Sequence, residues 1–425
     1  MEIGNRIKFH RLNKGMTQDD LAEGIISKSY LSKIENNQAI PAKEIIELLC
    51  EKLEIPYEES EQEDLFQTMN SWFELLLKGK KNEAVHAYSD IQDKFSKVNN
   101  SGLIKLYEIH LVRFYVITQQ MEEAEDHISR LTQYYSDYIP LEKYYWHKFV
   151  GDYYYASHIY ESAFEHYRNA EKYLDSKIFL YHNEKNDLYY LLSLTSVQLW
   201  KYHLGIYYAE KALSHYQNIY ELLRCAQCHI TIGVAYKGMG ELDNAIESYK
   251  KAFIIAEATS DRALLANCHH NLGSLHFERG DIRKAIEQYL MSFEMKEELS
   301  TNKKMITVLG LIKLYYQEGM VVEAAQWIHK GRELSARVNL LDSILEMNLK
   351  LYDFLVNPLD ERFEVFMLEE ALPILKEKRQ KKDLACYYKL LADYYFQDRK
   401  YKNACYYYQE SINQSKIHIT NGGKQ

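Results

Sequence analysis

The stretch GVAYKGMGELDNAIESYKKA, Gly233 to Ala252, returns forty residues later as GSLHFERGDIRKAIEQYLMS, Gly273 to Ser292. Both open on a small residue, with an aromatic or His three on, Ala twelve on, Tyr sixteen on and a small residue nineteen on. Gly151, Tyr154, Ala163, Tyr167 and Ala170 repeat the frame, as do Ala392, Tyr395, Ala404, Tyr408 and Ser411. Self-similarity at this period restricts the fold to stacked copies of one supersecondary unit. Each copy reads as two antiparallel helices. The small residue lets them approach closely, and the aromatics fill the space between one hairpin and the next. Weaker copies centre on Ala84, Ala124, Ala209, Ala324 and Ala371, which makes about nine units. Their spacings run from 33 to 47 residues, so several helices or loops are lengthened.

The totals agree with helices. Only 5 prolines and 17 glycines occur in 425 residues, too little punctuation for a fold of strands and turns. The length exceeds one ordinary core and suits two or three domains. With 47% apolar and 27% charged residues the composition is that of a globular chain. The repeats account for most of the 38 tyrosines, expected as packing residues with a wet hydroxyl rather than as an aromatic ligand box. No basic-then-apolar leader opens the chain, no 18-residue apolar run crosses a membrane, and 6 cysteines are not a disulfide framework, so a reducing cytoplasm is expected.

The repeated frame resembles the tetratricopeptide repeat family. That resemblance implies a solenoid over residues 65–415, whose concave face is lined by the first helix of each hairpin. Such faces bind extended peptides, whose unpaired N–H and C=O groups need polar partners. Arg113, Gln198, Lys201, Gln227, Lys237, Asn267, His270 and Asn271 fall on expected first helices, and Asn302 lies near the start of the next unit. Asn suits the task because it offers donor and acceptor together. The competing reading of each position is an ordinary solvated helix residue.

The first 58 residues form a separate domain of short helices. Ile3, Ile7 and Leu12 begin one, which Gly15 ends; Thr17 and Asp20 have capping-box spacing for a second. In SKSYLSKIENNQAIP, residues 27–41, Ser27 is a plausible N-cap and Leu31 and Ile34 form a narrow buried seam. Lys28, Ser29, Ser32 and Lys33 are left facing outward, where base edges and phosphates would lie. Ile45, Ile46, Leu48, Leu49 and Leu53 read as a longer amphipathic helix. TQDDLAEGI, then SYLSKIENN, then Pro41 resembles the Xre/Cro-type helix-turn-helix family. In that family the positions of Gln18, Ser27, Lys28, Ser29 and Lys33 contact DNA. Residues 1–38 hold six Lys/Arg against five Asp/Glu, and the chain is −9 overall, so the basic footprint is local and weak. Two copies in a dimer would bind better than one, because the second engagement is intramolecular. A domain used only for dimerisation is the alternative.

Residues 59–64 close an acidic stretch, PYEESEQED, expected as a solvated linker or a first helical turn, and residues 416–425 as a polar tail. CAQCH at 225–229 matches the haem-attachment pattern, but lies inside a repeat helix. Cys225, Cys228, His229, Cys268, His269 and His270 are the residues a zinc site would draw on; helical spacing spreads them around, so small buried cysteines are expected. No phosphate loop, metalloprotease motif or nucleophile elbow is present, so neither cofactor, metal nor catalysis is expected.

A helix-turn-helix domain followed by about nine such repeats resembles the Rap/NprR/PlcR/PrgX family of peptide-pheromone receptors, NprR-like in length and repeat number. The resemblance implies a quorum-sensing transcription regulator. Its partners would be an operator, a short re-imported peptide and further copies of itself as a dimer or tetramer. The peptide would change the oligomer and thereby the DNA binding. The resemblance also implies a second role, binding a response regulator of the sporulation phosphorelay. The alternative is that this sequestering role is the whole function.

Overall fold

The computed structural model describes residues 3–36, 38–39, 41–55, 61–95, 101–175, 181–296, 301–337, 343–357 and 361–420. All regular structure among them is helical. Four helices come first: α1 (Ile3–Asn13), α2 (Gln18–Ala22), α3 (Lys28–Glu35) and α4 (Lys43–Lys52). Gly15 closes α1 at φ 67°, a conformation that glycine adopts without penalty. Thr17 opens α2 with the expected capping box: its hydroxyl accepts from the Asp20 amide while the Asp20 carboxylate accepts from the Thr17 amide. Ser27 caps α3 by accepting from the Tyr30 amide at 3.2 Å. Ile7, Leu21, Ala22, Leu31, Ile34, Leu49 and Leu53 bury one small core.

Nine hairpins follow among the described residues. They pair α5 (Glu61–Leu77) with α6 (Lys81–Phe95), α7 (Ser101–Thr118) with α8 (Met121–Thr132), and α9 (Pro140–Ala156) with α10 (Tyr160–Tyr173). Next come α11 (Tyr181–Gln198) with α12 (Tyr202–Asn218), α13 (Leu222–Gly238) with α14 (Leu242–Ala258), and α15 (Arg262–Glu278) with α16 (Ile282–Met295). After α17 (Thr301–Gln317) and α18 (Val321–Arg337), α19 (Ser343–Val356) pairs with a helix of three parts. These are α20 (Glu361–Val365), a π-helical Phe366–Ala371 and α21 (Leu372–Glu377). Pro373 has no N–H to donate back along that helix, which favours the wider turn. The last hairpin is α22 (Lys381–Gln397) with α23 (Tyr401–Thr420).

The repeated small residue and tyrosine meet as the frame requires. A Cβ on Gly233 would stand 2.4 Å from Tyr249 Cε1, and one on Gly151 2.6 Å from Tyr167 Cε1. The Tyr289 ring lies against Gly273 of its own hairpin and Gly310 of the next, each 2.9 Å from where a Cβ would be. The alanines twelve on (Ala163, Ala245 and Ala285) are wholly buried, as are those at the centre of the weaker copies (Ala84, Ala124, Ala209, Ala324 and Ala371). Not every tyrosine hydroxyl is wet. Tyr167 donates to Asp152 at 2.7 Å, Tyr144 to Glu184 at 2.7 Å and Tyr395 to Glu364 at 2.7 Å.

Residues 56–60 of the acidic stretch lie outside the described residues, and 61–64 are the first turn of α5 rather than a linker. Likewise α23 runs to Thr420, so the expected tail is helical over 416–420, and 421–425 are outside the described residues. The chain divides into two compact units. Met1–Ala156 and Ser162–Leu188 form the first, Ser157–Glu161 and Tyr189–Gln425 the second. No described helix is long and apolar enough to cross a membrane.

Candidate nucleic-acid and peptide interfaces

In the front bundle, α3 is fixed from behind. Glu35, at the end of its buried seam, is 1% exposed and takes Arg11 from α1 through Nε at 2.5 Å and Nη2 at 2.9 Å. Arg11 also donates to the Met16 carbonyl at 2.8 Å, and Gln18 Nε2 donates to Glu35 at 2.7 Å. Gln18 therefore joins α2 to α3 through its amide nitrogen. With α3 held this way, Ser29 and Lys33 are exposed on its outer side and Ser32 is half-buried. Lys28 is exposed but ion-paired with Asp19 at 2.6 Å, and the Ser27 hydroxyl is taken up by the cap. In water such an exposed pair is easily broken, since it contributes only about 0–1 kcal/mol. The bundle thus offers two cations, two further hydroxyls and one amide from α2 and α3.

The peptide candidates divide between the units. Arg113 in the first is turned to structure: Nη1 pairs with the buried Asp152 at 2.9 Å. Asp152 belongs to a layer of buried ions on α9 that sequence reasoning missed. Lys148, 1% exposed, lies 2.6 Å from Glu184 and 2.9 Å from Asp187 of α11. Burial raises the Asp152 pKa, against the pull of Arg113 and the Tyr167 hydrogen bond. The available signal was charge at the spacing of a buried face: Tyr144, Lys148 and Asp152 are four apart along α9.

In the second unit the structure assembles one polar stripe. Asn267, Asn271, Ser274 and Glu278 lie within about 60° on the surface of α15. Lys237 reaches over from α13, its Nζ 2.7 Å from Ser274 Oγ and 3.5 Å from Glu278 Oε1. Asn271 Nδ2 donates to the Asn267 carbonyl at 3.0 Å, so its side-chain oxygen is turned outward. Gln227, half-buried on α13, accepts from Arg224 at 3.4 Å and stands forty residues before Asn267, one repeat earlier. Ser274 and Glu278 were not anticipated, although both follow from Asn267 by helical spacing.

Three candidates lie elsewhere. Gln198 is exposed at the last turn of α11. Lys201 is not on a first helix at all: Trp200 takes φ 60° and ends α11, which leaves Lys201 as the N-cap of α12. His270 is packed rather than presented. Its Nδ1 is 3.3 Å from Thr307 Oγ1, which accepts from the buried Lys296 at 2.8 Å. Burial, with the Lys296 and Lys237 charges, pushes the His270 pKa down to about 3. Lys296 is itself pushed down to about 8 by burial. The side chain of Asn302 lies outside the described residues. Cys225 and Cys228 on α13 and Cys268 on α15 are buried among apolar groups. Among the described residues no three His, Cys, Asp or Glu converge as a metal set.

Comparison with known proteins adds to this geometry. A helix-turn-helix family model matches residues 7–60, and a tetratricopeptide repeat model matches residues 222–298. The transcriptional activator NprA of Geobacillus stearothermophilus is 34% identical over 397 residues, spanning 92% of this chain and 98% of its own. Two solved structures share the fold. A Rap protein complexed with competence and sporulation factor has TM-score 0.71 and 19% identity, covering 84% of this chain and 98% of that one. NprR in complex with its cognate peptide NprX has TM-score 0.66 and 21% identity, covering 82% and 99%.

Proposed function

Because the chain belongs to the NprR-like family of Rap/NprR/PlcR regulators, we propose that it is a transcription regulator that answers to a short peptide. The front bundle reads an operator. Ser29 and Lys33 meet base edges and phosphates directly, Ser32 borders them, and Lys28 exchanges Asp19 for a phosphate. Gln18 and Ser27 anchor the ends of the two helices against the backbone. The observation that carries this reading is the Arg11–Glu35–Gln18 lock, which fixes α3 so that its polar side faces solvent.

The second unit holds the peptide. Asn267, Asn271, Lys237 and Gln227 supply donors and acceptors along the first helices, which the unpaired N–H and C=O groups of an extended backbone require. Two-state linkage then gives the response: a peptide that prefers one dimeric or tetrameric arrangement shifts the population toward it. A typical coupling of about 1–3 kcal/mol changes operator affinity by roughly 5–150-fold.

Footprinting of the full chain on DNA from its own genome tests the reading, with and without peptides recovered from culture filtrate. A discrete protected sequence is expected, whose occupancy changes when a retained peptide is added. Lys28→Ala with Lys33→Ala should lower the slope of log K against log salt by about 2 per domain. No protected sequence under any condition would replace the regulator by a protein-sequestering scaffold.

A further inference from the structure

We propose that His147 and His166 form a two-imidazole site for a divalent transition metal, on the α9–α10 hairpin of the first unit. Neither residue takes part in the DNA or peptide reading. Their Nδ1 atoms face each other at 3.2 Å. Two nitrogens bound to one tetrahedral zinc at the usual bond length lie about 3.3 Å apart, so the pair is already spaced for one ion. The His147 ring is held from its other side. Tyr135 places its hydroxyl 2.8 Å from Nε2, and the Tyr173 ring lies parallel to the imidazole, 5.9 Å away and 5° tilted. With the ring proton on Nε2 donated to this hydroxyl, Nδ1 keeps its lone pair for the metal.

Both imidazoles are pushed down to about 4 by burial, so they are neutral ligands at ordinary pH. Binding forms two N–metal bonds and breaks the shared Nδ1 hydrogen bond. The proton on His166 moves to its Nε2, and none is released from the pair. A cavity of about 360 Å³, bordered by Thr132, Tyr135, Trp146 and Tyr154, adjoins the two rings and leaves room for water ligands. Among the described residues no third His, Cys or carboxylate completes the set, so solvent fills the remaining positions. Lys143 and Lys172 are the nearest charges on His147 and oppose a dication. The site is accordingly weak and selects metals that favour nitrogen.

The test is titration of the tag-free full chain with Zn²⁺ and with Co²⁺. One saturable equivalent and a tetrahedral cobalt absorption band are expected, with a zinc-dependent rise in Tm. His166→Gln should abolish the band and the rise. Tyr135→Phe should weaken binding by about tenfold while both imidazoles remain, which also serves if the first variant fails to fold. Binding unchanged in both variants, or no saturable equivalent up to millimolar metal, would overturn the proposal.

Discussion

Glu35 shows how one carboxylate sets the geometry of a domain. Leu31, Ile34 and Glu35 fall at i, i+3 and i+4, so Glu35 lies on the buried side of α3, and a buried acid requires a partner. That much is legible in the sequence. The partner is not, because Arg11 stands 24 residues earlier on another helix, and only the folded bundle brings the two together. The same holds for Arg113, whose charge is taken by Asp152, 39 residues later on another helix. Glu35→Ala is expected to leave Arg11 buried without its carboxylate and to destabilise the front bundle by about 3–5 kcal/mol. Thermal unfolding followed in a fragment-resolved way, by hydrogen exchange, should show the loss in residues 3–55 and not in the hairpins.

At the scale of elements, the hairpins were readable because their packing rests on residue size. Gly233 against Tyr249 leaves no space for even a methyl group, so Gly233→Ala should cost about 1–3 kcal/mol through a displaced ring. Gly240, at φ 80° with open space around it, should cost about 1 kcal/mol through backbone conformation alone. Urea unfolding of the two variants gives the order. Equal costs would mean that the notch at Gly233 relaxes. Helix ends were harder to read. Gln119, His158, Trp200, Tyr220, Ser260, Arg379 and Arg399 all close helices in the left-handed region, where glycine is the usual signal. Trp200 therefore disguised the end of α11, and Lys201 was assigned to the wrong helix.

For the molecule as a whole, buried histidines contribute to the response to acid. His110, wholly buried against Phe73, is pushed down to about 3, and His270 to about 3; His147 and His166 are at about 4. Each folded-state value is below the ordinary one near 6.5, so the unfolded chain takes up these protons first. Their contribution to stability is then fully present above about pH 6.5 and is lost as the pH falls through these folded-state values. His110→Phe removes one contribution: its Nδ1 partner is the Leu106 carbonyl of its own helix at 2.8 Å, and its Nε2 is buried without a hydrogen bond. The variant should match the wild type at pH 7.5 and lose less Tm between pH 6.5 and 5. A steeper loss would contradict the assignment.

The Tyr289 ring, gripped between Gly273 and Gly310, has a consequence for how a chain like this can change length. The interval from the small residue to its tyrosine is sixteen in every strong copy, while the spacing between copies wanders from 33 to 47. One residue inserted within the sixteen would turn the ring about 100° away from its notch; the same insertion in a connecting turn leaves every notch in register. Insertions and deletions are thus tolerated in the joints and rejected in the frames, and the repertoire of related lengths open to the chain is written in its turns.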